Sequence, residues 1–149
     1  MSVASTLREL VLLEPVVLEL VFSPGEDPRI FPGQVPQSEA RPCLVYQHIT
    51  GQPVQEHGGL ADLESRLYQF DAWATGVGAD EVSEVLGLAV RTALVARAPG
   101  FVGDGCVLDS VEIEDERHSE GEGYETEDDP AWRYRIDVQV WFRRLKAAA

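Results

Sequence analysis

Cysteine is scarce in this 149-residue chain: only Cys43 and Cys106 occur. They stand far apart, without CxxC or Cys/His ligand spacing, so neither a zinc site nor a redox pair is indicated, and two buried free thiols are the ordinary reading. Histidine is nearly as rare. His48, His57 and His118 show no HxH or HxxxH spacing that would set two imidazoles on one face, and no metal site is expected. Positive charge is also in short supply, with 12 Lys and Arg against 26 Asp and Glu and a net charge of −14. Such a surface repels phosphate backbones, which disfavours direct nucleic-acid binding. Long apolar runs are missing too, because Glu9, Glu14 and Glu19 interrupt the most apolar stretch far short of the ~20 residues of a membrane span. No basic segment leads into an apolar run and a small-residue cleavage site, so synthesis and function without export are expected. GxSxG, Walker, GxGxxG and HExxH motifs are all absent, and Cys43 with His48 has no third group to orient it. Nucleophilic catalysis is therefore not expected, and no cofactor is implied.

What is present is globular: 44% hydrophobic and 26% charged residues, in a length suited to one domain with one core. Leu7, Leu10, Val11, Val17, Leu18 and Val21 follow helical spacing. Pro15 fits a first helical position better than an interior one, so two short helices are predicted, about Thr6–Leu13 and Pro15–Phe22. Residues Ser23 to Pro42 carry five prolines and two glycines and read as a long loop or arm reaching toward a neighbouring molecule.

Strands are predicted at Cys43–Thr50, Leu67–Ala74, Val107–Ile113 and Arg133–Arg143. A helix is predicted at Asp80–Arg97, with Asp80, Glu81 and Glu84 in its first turn, Arg91 and Arg97 late, and Pro99-Gly100 as its stop. The order predicts an α+β fold: a four-stranded, mainly antiparallel sheet with helices packed on one face. The other face would then show Gln69, Asp71, Trp73, Arg135, Asp137, Gln139 and Trp141. Aromatics among polar residues suit an interface better than a solvated surface, although either tryptophan alone could equally belong to a core.

Glu112 to Asp129 holds ten acids and one base. It reads as a solvated hairpin loop, since it lacks the ligand positions and central glycine of an EF-hand.

Arg29-Ile30-Phe31-Pro32, Pro42 to Gly51 (PCLVYQHITG), Arg66 to Ala74 (RLYQFDAWA), the long helix after it and the closing strand Tyr134 to Phe142 together resemble the phage tail-completion or tail-terminator proteins, over nearly the whole chain. The resemblance implies one tail-terminator-like domain over residues 1–149; the extended loop at 23–42 and the acidic hairpin loop at 112–129 are read from the residues themselves, and the acidic stretch is where the sequence departs from the family. It also implies a structural virion protein: a ring, a homo-hexamer, that caps the head-proximal end of the tail tube and joins it to the head. Its partners would be other copies of itself, the major tail tube protein and head-completion or connector proteins. DNA would only pass through, and no membrane would be involved. The place of action would be the virion neck, after assembly in the host cytoplasm of a phage, prophage or gene transfer agent. The family supplies no catalytic residues.

A closed ring needs two complementary patches per subunit. The sheet face (Gln69, Asp71, Trp73, Arg135, Gln139, Trp141) is one candidate, and the Ser23 to Pro42 arm, with Arg29 and Phe31, or a strand edge is the other. Glu120, Glu122, Glu125 and Glu127 would face the channel, where negative charge keeps DNA from sticking. The alternatives are another neck protein, adaptor or stopper, and a small ligand- or metal-binding hydrolase-like domain. A monomer stabilised by a divalent ion would favour the last.

Overall fold

The computed structural model describes residues 3–36, 39–52, 63–103, 105–120 and 131–145. Two short helices open the chain, α1 (Val3–Leu12) and α2 (Pro15–Val21). Pro15 sits at the start of α2, where its missing N–H costs nothing. Val3, Leu7, Leu10 and Val11 of α1 and Val17 and Val21 of α2 turn inward.

Five strands follow, β1 (Ile30–Pro32), β2 (Cys43–Gln52), β3 (Leu63–Thr75), β4 (Cys106–Glu120) and β5 (Ala131–Arg144), with α3 (Ala79–Arg97) between β3 and β4. They form one sheet in the order β1-β2-β3-β5-β4. β1 runs parallel to β2, and the other neighbours are antiparallel. The expected count of four strands is thus one short, because β1 lies inside the proline-rich stretch read as loop. Three residues are too few to show alternation, and β1 exists because Ile30, Phe31 and Pro32 align with Leu44, Val45 and Tyr46 across the chain.

A second correction concerns the acidic stretch. β4 continues to Glu120, so residues 112–120 are strand and any hairpin loop falls in 121–130, outside the described residues. Two acids of β4 are neutralised from outside β5: Glu116 meets Arg91 of α3 at 3.2 Å and Asp115 meets Arg117 of β4 itself at 3.0 Å. β4 is an edge strand, and its charges and two irregularities, at Leu108/Ser110 and Ile113/Asp115, blunt that edge against unwanted pairing.

The main core lies between the helices and one sheet face. Leu7, Leu10, Leu86, Val90 and Leu94 pack on Leu44, Tyr68, Phe70, Ile136, Val138, Val140 and Phe142. Gly87 sets how closely α3 approaches the sheet, because a Cβ there would overlap the Tyr134 ring. Glycine in a helix interior ordinarily costs ~1 kcal/mol relative to alanine, yet Gly87→Ala should destabilise the protein by about 1–3 kcal/mol through overpacking. Urea unfolding checks this, and a raised midpoint would show that α3 has room to spare.

Candidate functional site

Among the described residues all three helices pack on the even-numbered side of β3 and β5, and no helix covers the odd-numbered side. The register places Gln69 opposite Asp137, Asp71 opposite Arg135, Trp73 opposite Arg133, Leu67 opposite Gln139 and Ser65 opposite Trp141. The face expected from alternation therefore exists, with its residues side by side.

Its centre is a hydrogen-bonded ladder across three strands. Gln47 Nε2 donates to Gln69 Oε1 at 2.7 Å, and Gln69 Nε2 donates to Asp137 Oδ1 at 2.9 Å. Beside it Arg135 makes a bidentate pair with Asp71, Nε to Oδ1 at 2.7 Å and Nη2 to Oδ2 at 3.1 Å. Hydrogen bonding to Asp71 raises the affinity of this guanidinium for its proton. Paired groups of this kind hold the surface in one arrangement before anything binds. Gln47 belongs to the ladder but was absent from the sequence-derived set, although extending the alternation of Cys43 and Val45 one step further along β2 reaches it.

The two tryptophans part company. Trp73 is only 7% exposed. It forms a small second cluster with Cys43, Val45 and Ala131, on which Phe31 and Val35 of the arm close, and the Arg133 guanidinium lies 5.4 Å from its ring centre. Arg133 Nε is buried there without a hydrogen-bond partner. Cys43 beneath the arm is chemically quiet, since burial pushes its thiol up to about 12. Trp141, in contrast, is half-buried at the opposite end of the sheet, between Ser65 and Ser110 on the neighbouring strands.

The arm itself lies back on its own subunit instead of reaching outward. Arg29, 6% exposed, donates from Nε to Pro42 O (2.9 Å), from Nη1 to Ser23 Oγ (2.8 Å) and from Nη2 to Leu20 O (2.8 Å). Thr75 Oγ1 donates to Ala40 O at 2.6 Å. Arg29 is thus an internal clamp and Phe31 a cover for Trp73, and the accessible part of the predicted patch reduces to Gln69, Arg135, Gln139 and Trp141, with Gln47, Leu67 and Asp137 added. Of the acidic set, Glu120 is exposed at the end of β4, while Glu122, Glu125 and Glu127 lie outside the described residues.

One pair could suggest chemistry. Ser83 Oγ lies 3.0 Å from His118 Nε2, and it also donates to Asp80 O at 3.0 Å. A hydroxyl has one proton, so with that proton on Asp80 the serine accepts from the imidazole, the reverse of what an activated nucleophile needs. The pair ties the end of β4 to the start of α3. His48 stacks on Tyr68 with ring centres 5.3 Å apart, and His57 lies outside the described residues. Among the described residues no three His, Cys, Asp or Glu side chains gather as a metal site, and no helix is long and apolar enough to cross a membrane.

The face so assembled is a flat, pre-ordered sheet surface with an aromatic end, suited to meeting another protein surface. A family model described as "Tail completion protein gp17" matches residues 6–124. A solved chain from the virion of a native gene transfer agent particle has the same fold, with a TM-score of 0.66 at 11% identity over 95% of both chains. A second solved chain, 10% identical over 100% of this chain and 99% of its own, superposes with a TM-score of 0.43. No characterised protein sequence matches the chain.

Proposed function

Because this chain belongs to the tail completion protein gp17 family, whose members are structural proteins of phage tails and not enzymes, we propose that it is the terminator subunit. Copies of it close into a ring, a hexamer, on the head-proximal end of the tail tube, stop tube growth there and offer the head-completion proteins a docking surface. The observation that carries this reading is the sheet face that no helix among the described residues covers, whose Gln47–Gln69–Asp137 ladder and Asp71–Arg135 pair are fixed within the subunit and whose Trp141 is only partly buried. Rigid polar surface flanked by an aromatic anchor is the composition of protein–protein interfaces. Because the arm is tied to its own subunit, the complementary patch must lie elsewhere on the neighbour.

The work is capping by fitted surfaces, without turnover. In this role the acidic residues around Glu120 would add to the negative charge along the channel, so that passing DNA does not adhere.

Electron microscopy of particles assembled without this protein tests the assignment. Tails of uncontrolled length, separated from heads, are expected. Tails of normal length joined to heads that leak DNA would instead assign the chain to the adaptor or stopper role.

A further inference from the structure

The outward side of α3 is chemically unlike the outside of most surface helices. Val85 is 45% exposed, Leu88 39% and Val95 49%, and Thr92 between them and Ala96 after them are exposed as well. Residues 85, 88, 92 and 95 follow the three- and four-residue steps of one helical stripe. Scattered exposed leucines need no explanation, but here three large apolar side chains line up on a helix whose opposite side is already spent on the core through Leu86, Val90, Ala93 and Leu94. A helix apolar on both sides is the mark of one that is covered on both.

The charges around the stripe say what covers it. Glu81 stands in line with the stripe at its N-terminal end, Glu84 lies beside its N-terminal half, and Arg91, with a side chain 49% exposed, lies beside its C-terminal half. Two copies of α3 laid parallel would set Glu81 and Glu84 against their own counterparts. Laid antiparallel about an axis through Leu88, residue 84 comes level with residue 92 of the other copy, which puts Glu84 beside Arg91 there. Arg91 already bonds Glu116 through Nε at 3.2 Å, and its remaining guanidinium donors can serve a second carboxylate. On a chain with 26 acids and 12 bases, an acid that meets a base of the rotated copy across an apolar stripe is a specific feature.

We infer that the solvent face of α3 is a self-pairing surface, through which free subunits form a two-fold antiparallel dimer with Leu88 on the axis. This is separate from the ring contact. A two-fold pairing is isologous and sets a residue against its own copy, whereas a ring of more than two subunits uses two different patches. The stripe is small beside the ~800 Å² per partner of a standard interface, so the dimer is a weak one that forms at high subunit concentration.

Cross-linking distinguishes the two contacts. Both native cysteines are buried, so Leu88→Cys places one accessible thiol on the axis, and Val77→Cys, at a fully exposed turn position, serves as the control. Under mild oxidation the Leu88→Cys protein should run mostly at twice 16.4 kDa, at least about tenfold faster than Val77→Cys, as a thiol held against its copy demands. Sedimentation of the unmodified protein should show its mass rising between about 10 µM and about 1 mM, and Leu88→Glu should hold it at the monomer. Glu84→Arg and Arg91→Glu should each weaken the association, and the two together should restore it. Equal, slow cross-linking of the two cysteine variants would overturn the inference. If rings formed all the same, the ring reading would stand and this one would fail.

Discussion

Trp73→Ala should lower the stability of the subunit by about 3–5 kcal/mol, the usual cost of truncating a buried tryptophan, and reduce the melting temperature by on the order of 10 °C for a domain of this size. Trp141→Ala should leave the melting temperature within a few degrees of the parent but weaken ring closure or tube capping by at least about tenfold, as expected of an aromatic anchor worth ~2 kcal/mol. The contrast follows from what covers each ring. Trp73 lies under Phe31 and Val35 with Arg133 stacked on it, so truncation opens a cavity beneath the arm. Trp141 has serines opposite it on β3 and β4 and keeps part of its surface accessible, where a partner can add contact. Thermal unfolding and co-sedimentation with tail tubes read the two effects separately. If Trp141→Ala capped tubes as well as the parent, the open sheet face would lose its assignment as the contact surface.

The same pair shows how far the residues could be read without a structure. Alternation along Leu67–Ala74 and Arg133–Arg143 correctly put Gln69, Asp71, Trp73, Arg135, Gln139 and Trp141 on one face, because a sheet covered by helices on one side only imposes its period on both strands. Parity says which face a side chain takes, but not whether a distant segment lies over it. The arm that buries Trp73 is joined to β3 only through the fold, and nothing local to Trp73 announces it. Arg29 was misplaced for the same reason: an arginine in a proline-rich stretch looks exposed until its acceptors, the carbonyls of Leu20 and Pro42, are brought around it. The acids of β4 misled in another way. Their local repulsion argued for a loop, and it is outweighed by a long ladder with β5 and by bases such as Arg91 that only the tertiary structure delivers.

Arg29→Met should destabilise the protein by about 3–5 kcal/mol, a large share of the ~5–15 kcal/mol that holds a domain together. Methionine keeps the apolar stem of the side chain, so what the substitution removes is the set of three donors. Those donors tie the last turn of α2, through Leu20 O, to Ser23 at the start of the arm and to Pro42 O at the entrance of β2. Two carbonyls and a hydroxyl in a part-buried site would lose their partner, each at ~1–3 kcal/mol unless water reaches it. The consequence should extend beyond the clamp. The Arg29 backbone itself donates to Val21 O at 2.7 Å and accepts from Leu44 N at 2.9 Å, so loosening the side chain frees the start of β1, and with it the Phe31 cover over Trp73. Chemical denaturation should therefore show the loss of stability, and, with Trp132 and Trp141 replaced by Phe, Trp73 fluorescence should shift toward that of a solvated indole before global unfolding. Arg29→Lys, which retains the charge but not the fork of donors, should recover only part of the loss. A full recovery by lysine would mean that charge alone, and not the three-way geometry, holds the arm in place.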